Sequence, residues 1–298
     1  MRAMLPATPL ISVSLDLAGS TQAKATILRT STTDPDNVAD CYARIFSQFF
    51  HHEASFYLCL VSGGIPVDDI FLVKTIGDEV WVVVTAPPDG IVPRILAVIS
   101  ACLLVVSKVV EVLCFERKLS EEEELTDPDS LGLKRERIKL DIKAFADLIE
   151  KPYEVNALRQ EAFQKSLGDF QLSHGDPRAV LERLGGFGLG MLGGTRASVS
   201  HRTDFIGFEV DRFFRCTKFA EPGQLKIGRA LAEVLPLAEG HTLPRCDDAP
   251  SDVTFAVSKT ALRTLRLTRE CLRRDDLKGI GQGYAIFRVE DPSVPTGF

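Results

Sequence analysis

The sequence lacks the signatures of several common protein classes. Its 41 acidic residues outnumber its 35 basic residues, for a formal net charge of −6, so it lacks the positive surplus of proteins that bind the nucleic-acid backbone. It contains no G-x-S-x-G elbow, no G-x-x-x-x-G-K-[ST] loop and no metal-ligand spacing among its five histidines. These absences argue against a direct nucleic-acid partner and against the elbow and P-loop enzyme classes, but they leave room for a local nucleotide pocket.

The seven cysteines form no C-x-x-C and no Cys/His cluster, and their number is odd. We therefore expect neither a disulfide framework nor a zinc site, but buried free thiols in a reducing, cytoplasmic location. The N-terminus has no long apolar segment, so no signal peptide is expected. The most apolar stretch, 91–115, is interrupted by Pro93, Arg94, Lys108 and Glu111, which favours a core helix over a membrane span.

The length and composition suit one large globular domain. With 298 residues, 45% of them hydrophobic, the chain can bury a substantial core. We find no convincing linker and no internal repeat, so we expect a single domain over 1–298, with insertions at about 116–134 and 150–203.

Hydrophobic patterning predicts a β-α-β-β-α-β order, the ferredoxin-like arrangement of an α+β fold. The predicted elements are a strand over 10–15, a helix over 37–56, hairpin strands over 71–73 and 79–85, a helix over 89–115 and a strand over 138–145. The second insertion is expected to carry helical segments over 154–166 and 178–184.

This order brings two carboxylates to one edge of the sheet. The first strand and the strand that enters the hairpin run parallel, so Asp16 at the end of the first lies beside Asp78 at the hairpin tip. Such a pair suits divalent cations held with a polyphosphate, although an Asp there also commonly caps a turn. After Asp16, the turn containing Gly19, Ser20 and Thr21 can cradle a phosphate with backbone N–H groups.

Two further segments carry charges that a nucleotide could use. Lys74 stands on an otherwise apolar strand, so it needs a partner or a ligand unless that face is exposed. Asp211 and Arg215 are four residues apart and share a helix face. An Arg fork near metal sites suits a transferring phosphate, whereas the alternative is a surface ion pair worth under about 1 kcal/mol.

A glycine pattern at Gly188, Gly190 and Gly193 matches G-x-G-x-x-G, but polar, strand-like residues follow it instead of an apolar helix. The pattern therefore predicts a loop or hairpin and not a dinucleotide site.

Together these segments resemble the class III nucleotidyl cyclases. The matching blocks, in the family's order, are SLDLAGST, KTIGDEV, TDFIGFEVDRFFR, AEPGQLKI and DLKGIGQGYAIFRV. The two insertions lie outside the resemblance.

The resemblance implies that Asp16 and Asp78, with the carbonyl of Leu17, bind two Mg²⁺ or Mn²⁺ ions. It implies that Lys74 and Asp204 select the base.

It further implies that Arg215 stabilises the pentavalent phosphorus and that Lys278 holds the β- and γ-phosphates. Asp211 stands where the family usually has Asn, and could pair with Arg215 or accept a ribose hydroxyl.

The implied reaction is attack of the 3′-hydroxyl on the α-phosphate, with release of pyrophosphate, in a homodimer whose two sites draw on both subunits. Lys74 and Asp204 match the adenylate cyclase type. The D-L-A-G-S-T loop, the IGxxxDxxFR helix and the insertions are similar to the bacterial pyrimidine cyclases of Pycsar antiphage defence, which signal to a separate effector protein. We therefore expect UTP as substrate and cUMP as product, with cytidylate or adenylate cyclase activity, or a degenerate nucleotide-binding module, as alternatives.

Overall fold

A mainly antiparallel sheet organises the part of the chain that the computed structural model describes, which is residues 8–30, 35–76, 78–118, 133–154, 205–246, 248–256, 262–280 and 283–293. The strands are β1 (Leu10–Leu17), β2 (Ile70–Ile76), β3 (Glu79–Thr85), β4 (Val109–Lys118), β5 (Leu133–Ile149), β6 (Tyr153–Glu154), β7 (Phe205–Ile206), β8 (Leu225–Gly228), β9 (Ser251–Ala256), β10 (Leu262–Leu272) and β11 (Tyr284–Glu290). The helices are α1 (Ser20–Thr30), α2 (Pro35–Ser62), α3 (Ile91–Val106), α4 (Phe208–Cys216) and α5 (Arg229–Val234).

The sheet runs in the order β2-β3-β1-β5-β8-β11-β10-β9, and β4 pairs with β5 beside that path. Strand β1 is antiparallel to both β3 and β5, and β2 is antiparallel to β3. Among the described strands only β5 and β8 pair in parallel. The predicted α+β class and the β-α-β-β-α-β order are confirmed, with strand β4 and helix α1 as additions.

The expected helix over 89–115 is wrong in its last third. Helix α3 ends at Val106, and the chain continues as β4, paired with β5. In β4, Val110 and Val112 are buried while Val109 and Leu113 are exposed, which is the two-residue period of a strand. The expectation of a core helix holds for α3, in which Ile95, Val98, Ile99 and Cys102 are fully buried. No described helix is long and apolar enough to cross a bilayer.

Several expectations lie largely outside the described residues. These are the helical segments over 154–166 and 178–184, the glycine pattern at 188–193 and most of both insertions. The single domain over 1–298 therefore stays a prediction.

Strand β1 separates the two faces of the sheet by strict alternation. Ile11, Val13 and Leu15 join the core that α1, α2 and α3 cover. Ser12 and Ser14 face the other side, where Trp81 Nε1 donates to Ser12 Oγ at 3.1 Å. Helix α4 covers that second face: Phe213 lies against Trp81, with ring centroids 6.3 Å apart, and against Phe145, at 5.5 Å.

The expectation of free thiols is wrong for three cysteines. Cys246 and Cys271 form a disulfide, with Cα atoms 5.9 Å apart, and Cys41 is also disulfide-bonded. Cys102 and Cys216 are buried free thiols, as expected. The Cys246–Cys271 bridge joins residues 25 positions apart, a proximity that depends on how the loop before β9 returns to β10 and that cysteine spacing does not reveal.

Gly228, where β8 ends, leaves room for a buried carboxylate. A Cβ atom at this position would lie 2.0 Å from Cγ of Asp147 on β5. The φ angle of Gly228 is −77°, which any residue adopts, so only the space beside Asp147 requires glycine here.

We expect Gly228→Ala to lower the free energy of unfolding by about 1–3 kcal/mol, since its methyl group overlaps Asp147 in a packed interior. Urea unfolding would measure this loss. In an Asp147→Ala background the same substitution should cost much less, and an equal cost in both backgrounds would contradict the steric explanation.

Candidate functional site

Three charged residues form a row across the central strands. In register, Asp16 on β1 lies opposite Lys143 on β5 and opposite Glu79 on β3. Lys143 Nζ is 2.9 Å from Asp16 Oδ2, and Ser14 Oγ donates to Glu79 Oε1 at 2.6 Å. The side chains of Asp16 and Lys143 are about three quarters buried, at 24% and 21% exposed, so water screens their interaction only in part.

The hairpin tip is attached to the end of β1, as the predicted geometry requires. Ser20 Oγ donates to Asp78 Oδ2, and the Leu17 N–H donates to the backbone carbonyl of Asp78 at 3.3 Å. The structure thus brings Asp16 and Asp78 to one edge, close enough for the charge of Asp78 to raise the pKa of Asp16. We call Asp16, Asp78, Glu79 and Lys143 the acidic edge.

The turn after β1 leads directly into α1. Gly19 has a φ of +79°, a conformation that favours glycine, and α1 begins at Ser20. The Ala18 N–H is engaged with the backbone carbonyl of Asp141 at 2.9 Å. The first N–H groups of a helix have no partner within it, so a phosphate cradle would use the α1 end of the turn, including Thr21, and not its start.

Burial raises the pKa of Asp16 above its ordinary value, the charge of Asp78 adds to this, and the hydrogen bond and charge of Lys143 oppose it. Burial likewise raises the pKa of Glu79, against the hydrogen bond from Ser14. The ionised carboxylates of Asp16 and Glu79 are therefore held at a cost that an added cation would relieve.

The acidic edge fits divalent ions of a particular kind. Among the described residues there is no group of three or more metal-ligating side chains, so the edge is not a complete protein cage. Mg²⁺ usually takes one or two carboxylates together with water and substrate phosphates. The hard oxygen donors of Asp16 and Asp78 therefore fit Mg²⁺ or Mn²⁺ that arrives with a polyphosphate.

The second group of predicted residues lies on α4 and the 273–280 loop. The guanidinium of Arg215 lies beside Gly279, where an added Cβ atom would be 3.3 Å from Nη2. Exposed Lys278 lines an open depression with Arg274, Asp275 and Gly279. The structure thus brings Arg215 and Lys278 to one loop.

Asp211 is exposed on α4 and forms no ion pair with Arg215 among the described contacts. No described contact joins Arg215 or Lys278 to Asp16 or Asp78 either. Among the described residues, the predicted site residues therefore fall into two groups, Asp16 with Asp78 and Arg215 with Lys278.

The described residues include the side chain of neither predicted base-selecting residue. Lys74 lies on β2 opposite Trp81, next to a register shift between Leu72 and Lys74, and only its backbone is described. Asp204 lies outside the described residues.

Sequence reasoning missed Lys143 and Glu79. The alternation of IKLDIKAF placed Lys143 on one face of a strand, but it could not tell which face nor which residue of β1 it meets. Glu79 was treated only as the first residue of a strand, although it directly follows Asp78.

Comparison with protein-family models and with curated proteins finds no match. Among solved structures, the adenylyl cyclase CyaB from P. aeruginosa is similar with a TM-score of 0.41 and 11% identity, covering 97% of each chain. The guanylate cyclase domain of RhGC from Catenaria anguillulae, in complex with GTP, has a TM-score of 0.42 and 11% identity over 95% of this chain and 97% of that one. The guanylyl cyclase Cya2 has a TM-score of 0.38 and 13% identity over 97% of each. Because these TM-scores lie below 0.5, the likeness carries no argument about function, which must rest on the chain's own residues.

Replacing Lys143 by Met should raise the pKa of Asp16 further, because the substitution removes a hydrogen bond and a positive charge that lower it. A carboxyl ¹³C NMR titration of the metal-free protein would measure the change. Since a raised pKa means that the folded state binds the proton more tightly than the unfolded chain, stability should also fall more steeply as pH rises through that pKa.

Lys139→Met is the matched control, since Lys139 lies on the same strand but pairs with Glu111 at 3.4 Å. An Asp16 pKa that is the same in Lys143→Met and in the unmodified protein would contradict the role given to Lys143.

Proposed function

We propose that the chain is a nucleotidyl cyclase of the class III type, which converts a nucleoside triphosphate to its 3′,5′-cyclic monophosphate and pyrophosphate. The observation that carries the proposal is the meeting of Asp16 and Asp78 at one sheet edge, directly before the helix start that suits a phosphate. The order of the five family-like sequence blocks supports it.

In this proposal Asp16 and Asp78, with the carbonyl of Leu17, hold two Mg²⁺ or Mn²⁺ ions. When bound, the ions lower the pKa of the 3′-hydroxyl and neutralise charge on the phosphates. Lys143 orients the carboxylate of Asp16, and the hydroxyl of Ser20 orients that of Asp78. Fixed carboxylates need little rearrangement when substrate arrives.

Arg215 on α4 and Lys278 on the 273–280 loop are proposed to bind the phosphates. The guanidinium of an Arg can donate two parallel hydrogen bonds to phosphate oxygens and so stabilise the negative charge that develops on them. Because this half of the site makes no described contact with the acidic edge, we propose a homodimer in which the acidic edge of one subunit faces the Arg215 half of the other.

The substrate is proposed to be UTP and the product cUMP, made in the cytoplasm, where nucleoside triphosphates are available, as a signal to a separate effector in antiphage defence. A uracil ring offers a carbonyl to a Lys donor and a ring N–H to an Asp acceptor, which Lys74 and Asp204 would supply. ATP and CTP are the alternative substrates.

The decisive experiment incubates the purified protein with Mn²⁺ and ATP, GTP, CTP or UTP separately, and identifies products by mass spectrometry. We expect cUMP. Cyclic CMP or cyclic AMP would show that the preferred substrate is CTP or ATP instead of UTP. Saturable nucleotide binding without any cyclic product would favour a binding module, a reading that also agrees with Asp211 in place of the usual Asn.

Asp16→Ala and Asp78→Ala should each lower turnover by about 10²-fold or more, because each removes a carboxylate that would hold the ions against developing charge. Product formation over time measures this, with circular dichroism to show that the fold is retained. Asp141→Ala is the control, since Asp141 is an exposed acid on β5 whose described contact to the turn is made by its backbone carbonyl. Normal turnover in either test variant would remove that residue from the metal site.

A further inference from the structure

The second face of the sheet contains a buried ionic cluster with no place in the proposed chemistry. Asp147 on β5 is 1% exposed. Its carboxylate accepts hydrogen bonds from the hydroxyl of Tyr284 at 2.9 Å and from the backbone N–H groups of Leu148 at 2.9 Å and Leu231 at 3.3 Å. Burial raises the pKa of Asp147 to about 6, against the charge of Arg212 and these hydrogen bonds, so its charged form needs a counter-charge.

Arg212 of α4 supplies that counter-charge. Its Nη2 lies 3.9 Å from Asp147 Oδ2, and its guanidinium carbon lies 4.2 Å from the ring centroid of Tyr284. The side chain is 10% exposed, and its Nε is buried with no hydrogen-bond partner among the described atoms. Arg212 therefore points inward from a helix whose neighbouring Asp211 is exposed.

This cluster is poorly explained as a source of stability. Burying an Arg and an Asp costs desolvation energy that their attraction often fails to recover, and a hydrophobic replacement is commonly as stable. The cluster instead supplies direction. Hydrogen bonds fix the Tyr284 hydroxyl and the Asp147 carboxylate relative to each other, and the ion pair with Asp147 and the stacking on the Tyr284 ring orient Arg212, and with it α4, against them.

The cluster joins the segments that carry the two proposed phosphate-binding residues. Arg212 lies three residues before Arg215 on the nine-residue helix α4, so a rotation that moves one moves the other. Tyr284 is the first residue of β11, which follows the loop that carries Lys278. Its hydroxyl also accepts the Ala230 N–H at 2.8 Å.

We propose that Asp147, Arg212 and Tyr284 are positioning residues, which fix α4 and the start of β11 so that Arg215 and Lys278 face the same phosphates. The inference rests on the proposed function for the identity of the substrate. In structural terms, Arg212 holds α4 in one orientation and thereby positions Arg215.

The test uses the full-length protein with Arg212→Met, which keeps the size and apolar contacts of the side chain, and Tyr284→Phe, which keeps the ring. Two quantities are measured: turnover of the preferred nucleotide and the affinity for inorganic tripolyphosphate by calorimetry. We expect kcat or tripolyphosphate affinity to fall at least about tenfold in each variant, since small misplacements of charged groups have effects of this size.

The same substitutions in an Arg215→Ala background separate positioning from stability. If Arg212 acts through Arg215, Arg212→Met should cause little further loss there. Additive losses would show a merely structural role and overturn the proposal, as would unchanged turnover and tripolyphosphate affinity in both single variants. Should Arg212→Met fail to fold, Tyr284→Phe decides.

Arg229→Met is the matched control. Arg229 also lies over the Tyr284 ring, at 5.5 Å, but it is partly exposed and pairs with Glu233 instead of Asp147. It should leave both quantities unchanged. Absence of any cyclic product from the unmodified protein would refute the proposed function, while the coupling in tripolyphosphate binding would still decide this inference.

Discussion

The register of β1 between β3 and β5 decides which side chains meet at the acidic edge. It places Asp16 opposite Glu79 on one side and opposite Lys143 on the other. A slip of one residue would turn Asp16 into the apolar core and expose Leu15 or Leu17 in its place. The alternation of apolar and polar residues along β1 opposes this slip. The packing of Ile11, Val13 and Leu15 against α1, α2 and α3 therefore holds the acidic edge in position.

The proposed function assigns to one site two groups of residues that no described contact joins within the chain. The acidic edge stands at the end of β1 and the β2–β3 hairpin, while Arg215 and Lys278 gather at the 273–280 loop. Helix α4 connects them only indirectly, since it lies on the face that bears Asp16 but sends Arg215 towards Gly279. The proposed function therefore requires a second copy of the chain, because each copy would then offer the group that the other needs.

Much of this architecture could be predicted from the sequence, and the misses have physical reasons. The hairpin, β1 and the meeting of Asp16 with Asp78 follow from alternation and chain direction. The boundary between α3 and β4 was missed because both segments are apolar and hydrophobicity alone does not separate a helix from a buried strand. Lys143 and Asp147 depend on the register of β5, and the Cys246–Cys271 bridge depends on a loop path, which no local pattern encodes.

That bridge has a consequence for the far edge of the sheet. It encloses β9 and most of β10, and β9 is the end strand of the sheet order. Closing a loop of this length restricts the unfolded chain and is worth about 3 kcal/mol in the chain-entropy view. The end of the sheet thus has a stability set partly by the redox potential of its surroundings, so the protein in a thiol-reducing compartment and the protein in an oxidising one differ in how readily that edge unfolds.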